Sequence, residues 1–350
     1  MGVERIKIGN RFVGKGEPCF IVAEISCNHQ QKKEHALKLI EEAKKAGADA
    51  VKFQTYTADT ITLDADTEYF KISGTLWEGK TLYELYSEAS TPWEWFADLK
   101  KKAEELGLVF FSSPFDETAV DFLEELGVPA YKVASFEINH IPLLKYIAQK
   151  KKPIILSTGI STLEDIELAV KTIRGAGNQE IAILKCTSAY PAPYNEMNLS
   201  TIIDIRNRFG VVSGLSDHSM SVSVPVAASA INASIIEKHF TLSRSEGGPD
   251  ADFSLEPHEF KEMAKLVREA EEAMGTVNYE PTEKAKEHRF FMRSIFVSKD
   301  VGQGEEFTEE NIKVVRPSDG MHPKYYPEVL GKKAKVQLKR GTPLNHEMIE

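Results

Sequence analysis

His218 closes the run VVSGLSDH and His239 closes ASIIEKH, so each follows a stretch of apolar and β-branched residues. Neutral imidazole is the commonest metal ligand. Two imidazoles at the ends of neighbouring strands converge on one ion; two separately hydrogen-bonded histidines are the plain alternative. Lys52 and Lys132 lie inside equally apolar runs, AVKFQTY and AYKVAS. Lysine is seldom buried unpaired. Both positions therefore point to an anion pocket for phosphate or carboxylate, to a side chain snorkelling at a strand mouth, or to a Schiff-base lysine that has lost its proton. Ser135, Ser157 and Ser216 also stand at run ends, where their hydroxyls complete such a pocket as neutral donors. Glu24 and Glu137 are candidate acid/base groups, with a salt bridge to one of the lysines as the competing use.

The elements that must position these residues follow a repeat of pattern rather than of sequence. Eight short apolar runs, at 20–25, 50–56, 108–113, 130–135, 153–158, 181–186, 211–216 and 233–240, alternate with amphipathic stretches such as 33–47, 92–106, 116–127, 162–175, 198–208 and 257–274. Near-continuous apolar strands mean a parallel sheet buried on both faces. Strict strand–helix alternation at this count and length predicts a closed (β/α)₈ barrel, the TIM-barrel fold. A doubly wound open sheet competes, but its glycine-rich first turn is missing after Glu24. Polar residues at the C-terminal ends of barrel strands are the first candidates for an active site; Ser112 and Ser113, Lys185, Ser188 and Tyr190, Asp217, and Glu237 and Lys238 join the residues above on that ground.

The opening IKIGNRFVGKG predicts a β-hairpin turning at Gly9-Asn10 and capping the closed end of the barrel. The connection from the second strand to the helix at 92 is long, and long loops inside compact domains are usually functional; Tyr56, Phe70, Trp77 and Tyr83 read as the packing of a lid. GGPDADFS (247–254) reads as turn chemistry. The expected organisation is a barrel domain with its hairpin at 1–280, a polar linker at 281–290, and a small β-rich domain at 291–350 that docks on a barrel, because alone it buries little surface.

Composition excludes several classes. The 350 residues carry 43 Lys+Arg against 53 Asp+Glu, a net charge of −10, without the basic stripe of a nucleic-acid-binding protein. No apolar run reaches the length of a membrane span, and MGVERIKIGN lacks the apolar core of a signal peptide. Cys19, Cys27 and Cys186 are too few and too widely spaced for a disulfide framework. A cytoplasmic enzyme is the expectation, with no nucleic-acid or membrane partner.

Taken in order, AEISCNH (23–29), GADAVKFQTY (47–56), SSPFDETAVDFLEEL (112–126), YKVASFEINHIPLL (131–144), STGISTLEDIE (157–167), KCTSAYPAP (185–193), GLSDHS (214–219), EKHFTL (237–242), GGPDADFSLEP (247–257) and RSIFVSKDVGQGEEFTEENIKVVRP (293–317) span nearly the whole chain. In these motifs the chain resembles the sialic acid synthase family, which condenses phosphoenolpyruvate with an N-acetylated amino sugar. The resemblance implies a (β/α)₈ barrel followed by an antifreeze-like SAF domain, and a homodimer in which each SAF domain covers the partner's barrel. It implies a divalent metal, manganese or magnesium, on His218 and His239, both counted with Glu24 and Glu137 as catalytic. Lys52, Ser113, Lys132, Ser135, Ser157 and Ser216 would hold phosphoenolpyruvate. Glu24, Ser188, Tyr190, Asp250 and, from the partner chain, Arg316 would face the sugar.

Two positions depart from the N-acetylneuraminate branch: Phe136 stands where that branch usually has glycine, and Ser188 where it has asparagine. The stretch GTLWEGKTLYELYSEASTPWEWF (74–96) is similar to the pseudaminic acid synthases, which use a 2,4-diacetamido-2,4,6-trideoxy sugar of altro configuration; Phe136 suits a substrate with an apolar edge. An N-acetylneuraminate or legionaminate synthase using N-acetylmannosamine or a related sugar is the alternative within the family. Outside it stand a Schiff-base aldolase using Lys132 or Lys185, and an ice-binding module, against which the charge-rich KDVGQGEEFTEENIKVVR argues.

Overall fold

The computed structural model describes residues 2–74 and 77–350. It divides into two compact units, Met1–Gly275 and Thr276–Glu350.

In the first unit, β1 (Arg5–Ile8) and β2 (Arg11–Gly14) form the hairpin, with Gly9 supplying a φ of +62° at the turn. The barrel strands follow: β3 (Phe20–Glu24), β4 (Ala50–Thr55), β5 (Val109–Pro114), β6 (Tyr131–Val133), β7 (Ile154–Ser157), β8 (Ile181–Cys186), β9 (Val212–Asp217) and β10 (Ile235–His239). They close in the order β10-β3-β4-β5-β6-β7-β8-β9, all parallel. The (β/α)₈ expectation holds, and each strand falls within a residue or two of its apolar run.

Helices follow the strands: α1 (Lys33–Lys45), α2 (Ala58–Ile61), α3 (Leu82–Ala89), α4 (Phe96–Glu105), α5 (Glu117–Leu126), α6 (Ile141–Gln149), α7 (Leu163–Gly175), α8 (Thr201–Phe209), α9 (Ser223–Ala230) and α10 (Pro257–Met274). Helix α1 buries Ala36, Leu39, Ile40 and Ala43, the i, i+3, i+4, i+7 stripe of a helix lying on a sheet. Helix α7 starts at a reciprocal cap between Thr162 and Asp165, and α5 at an Asp116 side chain that accepts from two backbone N–H groups.

Side chains alternate across a strand, and the barrel wall separates two cores on this rule. Phe20, Val22, Ala50, Phe111, Ala130, Ile155, Leu184 and Ile235 face inward and pack with Ile6, Ile8 and Val13 of the hairpin, which caps the bottom of the barrel. Ile21, Ala23, Val51, Phe53, Phe110, Val133, Leu156, Ile183 and Ile236 face outward and pack with the helices. The next inward position of each strand toward its C-terminal end is where the polar residues begin.

The long connection after β4 is a folded lid. It holds α2 and α3, and an isolated bridge joins Lys71 to Thr81. Thr81 and Glu84 cap α3 reciprocally. Trp77 Nε1 donates to Pro249 O at 3.0 Å, tying the lid to the loop after β10. Tyr56 is buried; Phe70 and Tyr83 are half-buried, and Tyr83 Oη donates to Asp59 rather than packing inward.

The second unit has its own core of Ile295, Val297, Val301, Phe307, Ile312, Leu338 and Leu344. Its strands β11 (Ser294–Val297) and β12 (Ile312–Val315) pair antiparallel. The polar stretch read as a structureless linker carries α11 (Glu283–His288), started by Thr282, whose hydroxyl accepts from Ala285 N–H.

Candidate active site

The inward parity of the strands assembles the site. Glu24, Lys52, Lys132, Ser157, Ser216, His218, Glu237 and His239 all line one cavity of about 450 Å³ at the C-terminal end of the barrel, together with Ser135, Glu137, Tyr190 and Asp250 from the loops. The same parity sends Lys238 and Asp217 outward. They form a fully buried ion pair at 2.7 Å against the helices, a structural contact away from the cavity. Ser112 also leaves the site, hydrogen-bonded to Thr55. Lys185 points out, donating to the Cys186 carbonyl and to Thr187, so it drops out as a Schiff-base lysine.

Both site lysines are buried and paired. Lys52 Nζ lies 2.8 Å from Glu24 Oε2 and 3.5 Å from Glu237 Oε1, and donates to Ser113 Oγ at 3.4 Å. Lys132 Nζ donates to Ser157 Oγ at 2.6 Å and to Val133 O at 3.0 Å, with Glu237 Oε1 at 3.9 Å. Ser216 Oγ donates to the same Glu237 oxygen at 3.4 Å. Glu237, one of the strand-end candidates, thus sits at the centre of the lysines and serines.

The electrostatics follow from this sharing. Burial works against the charge of Lys52, but Glu237 and Glu24 more than offset it and raise its pKa. Burial also opposes the Glu237 charge, yet Lys132 and Lys52 hold its pKa below the ordinary value. For Glu24 burial prevails over Lys52 and the pKa rises. Of the two carboxylates sharing Lys52, Glu237 holds its charge more readily than Glu24. Burial lowers the pKa of Lys132. The two lysines thus share their charge with two buried carboxylates.

Glu137 follows β6 in a short 3₁₀ turn, Ser135–Glu137. Burial pushes its carboxyl up to about 7, against the pull of Lys132. A group whose folded pKa lies above its unfolded value binds its proton more tightly when folded, so folding stability falls as pH rises from 4.5 toward 7. At 1.36 kcal/mol per unit the loss is on the order of 3 kcal/mol. Glu137→Gln should therefore be more stable than wild type at pH 8 and lose that advantage near pH 4.5, read as urea midpoints at both pH values; equal stability at pH 8 would show the carboxyl to be solvated.

Ser135 Oγ accepts from Gly159 N–H at 2.9 Å. A Cβ on Gly159 would stand 2.0 Å from Ser188 Oγ and 3.0 Å from Ser135 Oγ, so only glycine admits these hydroxyls side by side.

His218 and His239 face each other with ring centroids 5.2 Å apart. Phe253 packs against both rings and Tyr190 stacks on His218 at 4.5 Å. His218 Nδ1 meets the Thr187 carbonyl at 3.0 Å, which favours a proton there; burial works against a charge on the ring, but Cys186 and the Thr187 carbonyl more than offset it and raise the pKa. His239 Nδ1 is buried and makes no hydrogen bond, with Asp250 Oδ2 at 3.6 Å. Burial and neighbouring cations keep His239 neutral, the form that ligates metal. Among the described residues no three His, Cys, Asp or Glu side chains form a complete ligand set. The two facing imidazoles are the residues that would supply nitrogen ligands to a divalent ion at this end of the cavity. Arg316, in the second unit, is exposed directly after β12.

Comparison with known proteins agrees with this architecture. Residues 39–279 match the NeuB family and residues 292–350 the SAF domain. The chain is 47% identical over 339 residues to a pseudaminic acid synthase of Campylobacter jejuni, covering 97% of this chain and 98% of that one. It is 45% identical to the pseudaminic acid synthase of Helicobacter pylori, covering 95% and 98%. The crystal structure of an N-acetylneuraminic acid synthetase from Leptospira borgpetersenii superposes with a TM-score of 0.72 at 32% identity, covering 82% of this chain and 95% of that one. A closed barrel carrying two lysines, two imidazoles and their carboxylates at its C-terminal end, followed by a SAF domain and matched at this identity over nearly its full length, belongs to the NeuB family.

Proposed function

We propose that the chain condenses phosphoenolpyruvate with 2,4-diacetamido-2,4,6-trideoxy-β-L-altropyranose, giving a nine-carbon nonulosonic acid and inorganic phosphate, the reaction of a pseudaminic acid synthase. The observation that carries the reading is the 45–47% identity to pseudaminic acid synthases over nearly the whole chain; the cavity lined by Lys52, Lys132, Glu137, His218 and His239 supports it.

The reaction balances as follows. C3 of phosphoenolpyruvate bonds to the aldehyde carbon of the open-chain sugar, whose oxygen takes a proton and becomes a hydroxyl. Water adds to C2, the C–O bond to phosphorus breaks, phosphate leaves, and C2 becomes a ketone. Lys52, Lys132, Ser113, Ser135, Ser157 and Ser216 hold the phosphate and carboxylate, donors preorganised for charge that shifts during reaction. Glu137, poised at about 7, accepts or returns a proton near the reacting carbons. Glu24, with its raised pKa, serves the sugar hydroxyls as donor or acceptor. Tyr190, Asp250 and Ser188 line the sugar's path. His218 and His239 would hold a divalent ion, manganese or magnesium, which when bound would supply Lewis acidity at the sugar carbonyl. Phosphate release with phosphoenolpyruvate and Mn²⁺ should be fast with the diacetamido sugar and slow with N-acetylmannosamine; the reverse order would make the chain a neuraminate-type synthase.

The working form is a homodimer that places the SAF domain, and Arg316 with it, over the partner's barrel. Supporting this, Leu63, Phe136, Ile160 and Tyr194 stand exposed on loops at the C-terminal face of the barrel, and Phe290, Phe291 and Met292 stand exposed in the second unit. Exposed apolar clusters of this kind mark interaction surfaces. Light scattering should find two copies per particle, and Phe290→Ser/Phe291→Ser should yield monomers with little activity; a monomeric, fully active wild type would contradict the arrangement. A cytoplasmic location fits a substrate as highly charged as phosphoenolpyruvate, which does not cross membranes unaided.

A further inference from the structure

The chain leaves the barrel at His239 and returns to the same point. Leu255 N–H donates to His239 O at 2.9 Å, and Thr241 N–H to Leu255 O at 3.0 Å. The loop between them brings Asp250 and Phe253 back onto the imidazoles, with Asp250 Oδ2 3.6 Å from His239 Nδ1 and the Phe253 ring centroid 4.9 Å from that of His239. Gly247 and Gly248, at φ of +73° and +121°, give this loop backbone freedom. Its place is held from another element. Asn28, in the turn between β3 and α1, is 1% exposed. Its Nδ2 donates to Phe240 O at 2.9 Å and to Ser254 Oγ at 2.8 Å. Ser254 Oγ in turn donates to Asp250 O at 2.6 Å. That bond uses the hydroxyl proton, so Ser254 only accepts from Asn28, as the Phe240 carbonyl does, and the amide has one orientation. One side chain thus ties the residue after His239 to the residue after Phe253 and, through Ser254, to Asp250. Gln30 Nε2, from the same turn, holds the other end of the loop by the carbonyls of Glu246 and Gly247 at 3.2 and 3.3 Å. The turn itself has three non-glycine residues in the left-handed region, Ser26, Gln30 and Gln31, at φ of +50°, +53° and +54°. Such backbone is costly and persists only where its surroundings impose it.

We infer that Asn28 is a positioning residue for the imidazole end of the cavity: through Phe240 and Ser254 it sets the place of the His239 ring and of Asp250 and Phe253 around it. Asn28 is not among the described residues that line the cavity, so it acts through the loop rather than on a ligand. This rests on the proposed function in one respect, that His218 and His239 hold a divalent ion. Removing the amide strands the buried Ser254 hydroxyl and the Phe240 carbonyl, and the loop must shift to satisfy them. Groups that orient a ligating histidine from behind are worth about 10- to 100-fold in metal affinity.

The test is a titration with Mn²⁺ alone, without sugar, read by electron paramagnetic resonance of the free ion in wild type, Asn28→Ala, Ser254→Ala and the double variant. Asn28→Ala should bind Mn²⁺ about 10- to 100-fold more weakly than wild type, with native circular dichroism and an unchanged Kd for phosphoenolpyruvate by calorimetry. Ser254→Ala should lose affinity by a smaller factor. The double variant should bind no more weakly than Asn28→Ala, because the serine acts through the same chain of bonds. Wild-type Mn²⁺ affinity in folded Asn28→Ala overturns the inference. So does a double variant whose loss is the product of the two single losses, or a Kd for phosphoenolpyruvate that rises along with that for Mn²⁺, which would mean that the whole cavity has loosened. Should Asn28→Ala not fold, Ser254→Ala decides: undiminished affinity overturns the inference and a loss at unchanged phosphoenolpyruvate Kd supports it. A wild type that binds no Mn²⁺ overturns it together with the metal. A protein that shows these losses yet condenses phosphoenolpyruvate with no diacetamido sugar upholds the positioning and strikes only the proposed function.

Discussion

Replacing Lys52 by methionine is expected to lower kcat/KM for phosphoenolpyruvate by about 10²–10³-fold, the usual loss of one charge-stabilising donor, and to destabilise the fold at the same time. The second effect follows from the pairing. Lys52 bonds Glu24 at 2.8 Å and shares Glu237 with Lys132. Removing one partner of a buried ion pair strands the other, at a cost of about 3–5 kcal/mol. Lys52→Met should therefore unfold at a clearly lower temperature than wild type at pH 8. Lys52→Met/Glu24→Gln, which removes the stranded charge as well, should recover most of the stability and none of the activity. If the single variant is as stable as wild type, the carboxylates are not held as the structure shows; if the double variant is active, Lys52 does not hold the substrate.

The second large effect is expected at His239. It and His218 are the only histidines lining the cavity among the described residues, so His239→Ala should lower Mn²⁺ affinity by at least about 100-fold and turnover by about 10³-fold, the share of a metal that stabilises charge by several kcal/mol. Electron paramagnetic resonance of free Mn²⁺ reads the binding without any assay of turnover. The variant should keep its fold, because His239 Nδ1 makes no hydrogen bond whose loss would be felt. Undiminished Mn²⁺ binding in His239→Ala would remove the imidazole pair from the metal site.

Much of this arrangement is legible in the amino-acid sequence, and the exceptions have physical causes. Strands buried on both faces read as apolar runs, so all eight barrel strands stand out, and many of the polar residues at their ends gather around one cavity. Which of those residues enter the cavity is a matter of parity. Glu237, Lys238 and His239 are equivalent as strand-end residues, yet alternation sends Glu237 and His239 inward and Lys238 outward onto Asp217. Counting in steps of two from the inward Ile235 separates Glu237 and His239 from Lys238. The charge of the pocket was not readable in the same way, because it depends on which carboxylates reach the lysines across neighbouring strands. Helix α9, SVPVAASA, was missed because small residues and an early proline blur its stripe. Helix α3 was missed although Thr81 and Glu84 carry the spacing of a capping box. Arg316 lies beyond the reach of a single chain's geometry, since its proposed place is over another copy.

The most direct test of the central claim starts from phosphoenolpyruvate labelled with heavy oxygen in the bridge between carbon and phosphorus. Incubated with the enzyme, Mn²⁺ and 2,4-diacetamido-2,4,6-trideoxy-altropyranose, it should yield an unlabelled nine-carbon acid by mass spectrometry and place the heavy oxygen in the released phosphate. Label retained in the sugar acid would mean that the phosphorus–oxygen bond breaks instead. An absence of any nine-carbon acid would contradict the condensation itself.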